Sequence, residues 1–293
     1  MDEERLARLR RGYAEEICRL ARVTHAPVEA AFAAVPRERF LGPGPWRTGL
    51  GSDAMTPDDD PAHIYKNVLV SLDAEKRLNN GEPTFWAFGF DAMQPHAGER
   101  AIHVGAGTGY YTALLAQMVG PSGAVTAIEF EPDLAAKAQA NLADQPNVEV
   151  LAGDGLALAR GEADLVMASC GVDQVPVAWV KLLRDGGRLF VPLTASLPQW
   201  SGGGGGVNLL VTRRGDAYEA RWAGNVAIYN CMAGRTDAAS ERLRAAFRFP
   251  ADLADWPRWR APEIASLRLD DREDATTWLA GDGWQLSTAP PAA

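Results

Sequence analysis

The chain has 293 residues, 47% hydrophobic and 23% charged, the profile of a globular protein with room for one large domain or a domain plus an appendage. Its formal net charge is −9, its pI is about 5.0, and it holds no run of Lys and Arg, so the basic face that phosphate neutralisation requires is missing and no nucleic-acid partner is expected. Three widely spaced cysteines, four scattered histidines, no apolar run of 18 residues and no apolar signal segment lead us to expect a cytoplasmic protein with no disulfide framework, metal or membrane contact.

Leu6, Leu9, Tyr13, Ile17, Leu20 and Val23 recur at helical spacing and predict an amphipathic first helix. A second helix is predicted over 27–35, ending before Pro36. Residues 36–61, rich in proline and glycine with Asp58–Asp59–Asp60, read as an irregular surface loop. A short strand fits within 65–72. From Phe85 the pattern alternates: helix 85–93, strand 101–104, helix 110–119, strand 124–128, helix 132–142, then strands 148–151, 163–168 and 188–191. Strands alternating with helices predict βαβ units and a parallel sheet. The glycine run within 198–206 reads as a mobile loop or hairpin tip. Two strands are predicted at 207–212 and 218–222, an apolar run at 225–229 and a helix at 238–247. The last segment carries Trp256, Trp259, Trp278 and Trp284, which pack a small core or, alternatively, form a contact surface.

Three features carry chemistry. Gly105-Ala106-Gly107-Thr108-Gly109 follows a strand and opens a helix, where glycine lets the chain turn sharply and a ligand approach the main chain. Glu129, followed by Phe130, stands at the end of the next strand, placed to accept both hydroxyls of a ribose. Gly153-Asp154-Gly155 ends the third strand, where a carboxylate can accept from an adenine amino group. Each alone is an ordinary turn or surface acid. Together they fall at the carboxyl ends of successive parallel strands, the edge where open α/β sheets bind ligands. A dinucleotide is the first competitor. Tyr110 occupies the place of the third glycine of its fingerprint, which favours S-adenosylmethionine instead.

The segments AIHVGAGTGYYTALLA and IEFEPDLAAKA, the Gly-Asp-Gly, ADLVMASCGVDQVPVAWVKLLRDGGRLFVPL and the earlier VPRERF together resemble the protein-L-isoaspartate (D-aspartate) O-methyltransferases. The resemblance covers roughly residues 35–193. It implies a Rossmann-like, seven-stranded α/β methyltransferase sheet with helices on both faces and S-adenosyl-L-methionine as methyl donor. Carried over, Gly105, Gly107 and Gly109 line the methionine end, Glu129 takes the ribose, Asp154 and Gly155 flank the adenine, and Ser169, Cys170 and Gly171 face the cleft. The expected organisation is an N-terminal helical cap over 1–64, the cofactor-binding domain over 65–235 and a C-terminal extension over 236–293.

The chain departs from that pattern in three places. His103 stands where the family carries an acid near the methionine ammonium; a neutral imidazole still accepts a hydrogen bond there, or is equally a histidine satisfied by neighbouring backbone. The family's Gly-Gln-Thr-Ile-Ser-Gln-Pro signature becomes Leu78-Asn79-Asn80-Gly81-Glu82-Pro83, with Asn79 for Thr and Gly81 for Ser. Both hydroxyls are gone. Asn79 and Asn80 can orient a carboxylate or the cofactor, and Glu82 can act as a base or bind a substrate cation, although Asn-Asn-Gly is equally an ordinary turn. Finally, the chain runs about 60 residues beyond Arg235. We therefore expect a methyltransferase acting on a small molecule or peptide carboxylate. Two rival readings are an enzyme that cleaves or cyclises S-adenosylmethionine and a non-catalytic cofactor-binding sensor or partner.

Overall fold

Two units make up the computed structural model, Met1–Ala101 with Ala106–Gly153, and Ile102–Gly105 with Asp154–Ala293. It describes residues 3–49, 54–197, 200, 202–249 and 258–291.

In the first unit, helix α1 (Glu3–Ala21) buries Tyr13, Ala14, Ile17 and Cys18, the stripe its helical spacing dictates. Helix α2 (Ala26–Ala34) starts with a proline in its first turn, where the missing N–H costs nothing. The following 3-10 turn, Arg37–Phe40, sends the fully buried Arg37 guanidinium to the carbonyls of Ile64, Lys66 (3.0 Å) and Val68 (2.6 Å). Its charge lies between the rings of Tyr13 and Tyr110, 5.7 and 6.0 Å from their centroids. One side chain thus fixes a stretch that has no regular ladder of its own.

The strand expected within 65–72 is shorter and later than the pattern suggested. It forms as β1 (Ser71–Asp73), paired antiparallel with β2 (Leu78–Asn79) in a small hairpin. Helix α3 (Pro83–Met93) again opens on proline and closes on Gln94 in the left-handed region. Strand β3 (Arg100–Val104) hands its last three residues to the second unit. Helix α4 (Tyr110–Val119) is buried on nearly every face. Strand β4 (Ala124–Glu129), helix α5 (Pro132–Asn141) and strand β5 (Val148–Ala152) complete a βαβ unit, with β4 and β5 parallel from Val125↔Val148 to Glu129↔Ala152.

The second unit adds the one-turn helix α6 (Gly155–Leu158), strand β6 (Ala163–Ala168), the short helix α7 (Val177–Val180) and three long strands. Strand β7 (Leu183–Ser196) starts earlier and ends later than the predicted 188–191 and runs through the Asp185-Gly-Gly turn. Gly186 at φ +75° makes the turn a bulge, and pairing with β6 slips between Ala163 and Leu165. Strand β8 (Gly203–Arg214) corrects the glycine run: its described part is a buried strand, paired on both sides with β7 and with β9 (Ala217–Tyr229). Glycine is needed there because the Trp200 ring, Asn230 Oδ1 and the Leu193 carbonyl occupy the space that side chains at 203, 204 and 206 would fill. Pro198, Gln199 and Ser201 lie outside the described residues.

Helix α8 (Asp237–Phe247) and strands β10 (Ser266–Arg268), β11 (Thr277–Gly281) and β12 (Trp284–Ser287) follow. Strand order in this unit is β11-β12-β10-β9-β8-β7-β6-β3, with β6 and β7 parallel and the later strands antiparallel. Trp222, Phe249, Trp259 and Trp278, all half-buried, pack ring to ring around the buried Phe247, mostly edge to face, and Trp284 is itself buried. Trp256 lies outside the described residues. The architecture is mixed α/β and Rossmann-like, with more strands than the seven implied by resemblance.

Candidate cofactor and acceptor site

The glycine turn is built by backbone conformation. Gly105, Gly107 and Gly109 have φ of +79°, +58° and +97°, the left-handed region that side chains avoid. A Cβ at Gly109 would stand 2.8 Å from Leu142 Cδ1, so close packing also demands glycine there. At Gly107 the nearest atom would be Leu72 Cδ1 at 3.6 Å. Space is available, and only the conformation constrains that position.

Within the first unit, the Gly107 N–H donates to Glu129 Oε2 at 2.6 Å, and the Glu131 N–H donates to Glu129 Oε1 at 2.9 Å. Glu129 ends β4 and is 6% exposed; desolvation raises its pKa, opposed by these backbone N–H groups. The acid expected on the ribose is therefore tied directly to the turn expected under the methionine. Phe130 beside it is exposed. Ala106 is buried. Thr108 is buried too, and its hydroxyl is committed to the Phe40 carbonyl at 2.6 Å. That side chain anchors the turn to the VPRERF segment.

The three acceptor-side candidates are engaged locally. Asn79 Oδ1 accepts the Gly81 N–H at 2.8 Å, closing an Asx turn. Asn80 Oδ1 accepts from Val70 N–H at 2.9 Å, while its buried Nδ2 has no hydrogen-bond partner among the described residues. Glu82 Oε1 accepts from Asn67 Nδ2 at 2.7 Å and from the Thr84 hydroxyl at 2.8 Å. Gly81, at φ +77°, leaves no room for a side chain, since a Cβ would sit 2.6 Å from Trp86 Nε1. Its carbonyl accepts from Tyr111 OH at 3.1 Å.

In the second unit, His103 is fully buried and its Nε2 lies 2.7 Å from Ser169 Oγ. Desolvation pushes its pKa down to about 3, so the imidazole is neutral at ordinary pH. Asp154 caps α6, accepting the Leu156 N–H at 2.9 Å, and the Gly155 carbonyl accepts from Trp179 Nε1 at 3.0 Å. Sequence reasoning missed Cys170 bonded to Cys231, which corrects our expectation of a chain without disulfides. An odd cysteine count and a separation of 61 residues gave no signal for it. Arg235 was also missed; it donates to the Gly171 carbonyl at 2.8 Å.

The sequence model of the protein-L-isoaspartate(D-aspartate) O-methyltransferase family matches residues 15–201, well over half the chain. The chain belongs to that family. It is thereby one of the S-adenosylmethionine-dependent O-methyltransferases. The protein-L-isoaspartate O-methyltransferase of Thermotoga maritima is 29% identical over 176 residues, 58% of this chain and 51% of that one, so the chain matches about half of that relative's length. A solved protein-L-isoaspartate O-methyltransferase superposes with a TM-score of 0.62 at 22% identity, covering 82% of this chain and 71% of the other. A second solved structure is a protein from Plasmodium falciparum in complex with S-adenosyl-L-homocysteine. It gives a TM-score of 0.57 at 14% identity, over 77% of this chain and 99% of the other. These likenesses establish the methyltransferase fold. Among the described residues no helix is long and apolar enough to cross a membrane.

Proposed function

We propose that the chain moves a methyl group from S-adenosylmethionine to a carboxylate oxygen of a peptide or small-molecule acceptor. The observation that carries this reading is the turn Gly105–Gly109 joined through the Gly107 N–H to the buried carboxylate of Glu129. An open backbone turn beside a desolvated acid suits a charged ligand with a ribose at one end. Bound there, the cofactor supplies an electrophilic methyl group on a sulfonium. Glu129 would take the ribose hydroxyls, and the turn would hold the methionine end. Neutral His103 would offer that end no positive charge to repel its ammonium. The roles of Ala106, Thr108, Phe130, Asp154, Gly155 and Ser169 rest on the family pattern.

The acceptor follows from what the acceptor-side residues do with their polar atoms. A hydroxyl or amine must lose a proton to attack, whereas a carboxylate at neutral pH is already ionised. Glu82 is held by Asn67 and Thr84, and His103 is buried against Ser169, so neither is set up as a base. In-line alignment in a water-poor pocket then supplies much of the rate. Incubating the protein with S-adenosylmethionine and carboxylate-bearing peptides should yield S-adenosylhomocysteine together with a base-labile methyl ester. Methylthioadenosine released from the cofactor alone would overturn the proposal in favour of cofactor cleavage.

A further inference from the structure

Strand β6 ends at Ala168 and is followed by Ser169, Cys170 and Gly171; strand β9 ends at Tyr229 and is followed by Asn230 and Cys231. The two exits run side by side. Gly171 donates to the Tyr229 carbonyl at 2.7 Å, and the Cys231 N–H donates to the Gly171 carbonyl at 2.9 Å. The sulfurs of Cys170 and Cys231 are bonded across this junction, and both residues are half-buried.

On one side the disulfide backs onto the cofactor turn. A Cβ at Gly105 would lie 3.4 Å from the Ser169 carbonyl carbon and 3.7 Å from the Cys170 nitrogen, so the first turn glycine packs on this backbone. Ser169 also holds His103. On the other side it opens the extension. Arg235 donates to Gly171 O, and to Thr194 O and Ser196 Oγ at 3.0 and 3.2 Å; Thr236 N–H donates to Asp173 Oδ2 at 2.9 Å.

This junction is closed at a polar penalty. Asp173 Oδ1 and Asn230 Oδ1 are buried with no hydrogen-bond partner among the described residues. Unsatisfied acceptors favour opening to water, and the covalent bond opposes it. We propose that Cys170–Cys231 is a redox-controlled latch that holds residues 230–235 against the end of β6 and so fixes the Gly105 edge of the cofactor turn. The inference rests on reading Gly105–Gly109 as that turn. Opening needs a dithiol reductant. Its thiolate attacks one sulfur and expels the other, which takes a proton. The reductant's second thiol then resolves the mixed disulfide, leaving two cysteine thiols and a cyclic disulfide. Two electrons and two protons enter the protein.

The test compares the full chain before and after dithiothreitol treatment. Thiol titration of the denatured protein should count one thiol before, Cys18, and three after. Reduced protein should bind S-adenosylhomocysteine about fivefold more weakly or worse in calorimetry, and trypsin should cut faster after Arg235. A Cys231→Ser variant should behave as the reduced protein with or without dithiothreitol. Three thiols even after treatment with an oxidised dithiol, or equal affinity and equal cleavage in both states, would overturn the latch. Loss of ligand binding in both states would instead strike the cofactor reading, and the cleavage rates would still decide the latch.

Discussion

The glycine turn and the segment Leu78–Pro83 are constructed in opposite ways. The turn keeps its chemistry in the main chain: three left-handed glycines and one acid that bonds to a backbone N–H. The acceptor segment has placed its chemistry in side chains and then bound most of it locally, Asn79 in a turn, Asn80 against Val70 and Glu82 against Asn67 and Thr84. Backbone recognition survives sequence change as long as the turn conformation does. Side-chain recognition is rewritten residue by residue, so the two regions carry different amounts of information about the reaction.

The comparison is broken most directly at Glu129. Glu129→Ala removes the charge-assisted bonds from the Gly107 and Glu131 N–H groups and the proposed ribose contacts, and should weaken S-adenosylmethionine binding by about 100-fold or more. Unchanged affinity in calorimetry would remove the site assignment. Because burial raises the Glu129 pKa, affinity should also begin to fall on acidification at a higher pH than an ordinary glutamate would give.

Restoring the family hydroxyl is the next largest change. Gly81→Ser forces a side chain into a left-handed position against the Trp86 indole and should cost about 2 kcal/mol of stability, read by denaturant unfolding. A neutral effect would mean that the segment adapts and that the lost hydroxyl is only a sequence accident.

His103 gives a pH signature. Its folded pKa lies below the unfolded value, so protonation favours the unfolded chain. Its contribution is complete above about pH 6.5 and is lost as pH falls from there towards 3. Thermal melts of His103→Gln should therefore lose less stability than the parent between pH 7 and 4; parallel curves would show that another group dominates. The smallest effect is expected at Glu82. With a carboxylate acceptor, Glu82→Gln should change the methylation rate less than about threefold, whereas loss of a general base costs at least about 100-fold.

The parallel βαβ part was legible because its strands and helices carry their own periodicity and its turns their own glycines; α4, β4 and α5 fall within a residue or two of the pattern. The hairpin β1–β2 was not, since two- and three-residue strands leave no period to read. The glycine run misled because its composition matches a linker, while its strand comes from pairing with β7 and β9 and its glycines from the crowding of Trp200, Asn230 and Leu193. The site divides in the same way. Gly107 and Glu129 were visible as a spacing, but the Cys170–Cys231 bond depends on two strand ends meeting after 61 residues, a tertiary fact with no local trace.

That glycine strand has a consequence for how the molecule breathes. Gly204, Gly205 and Gly206 are paired with Ser196, Ala195 and Thr194 on one side and with Ile228, Ala227 and Val226 on the other. Backbone locked from both edges exchanges its amide hydrogens only through large openings. In deuterated water these glycines should number among the last amides to label, on the timescale of unfolding of the whole meander, where their composition alone would place them among the first.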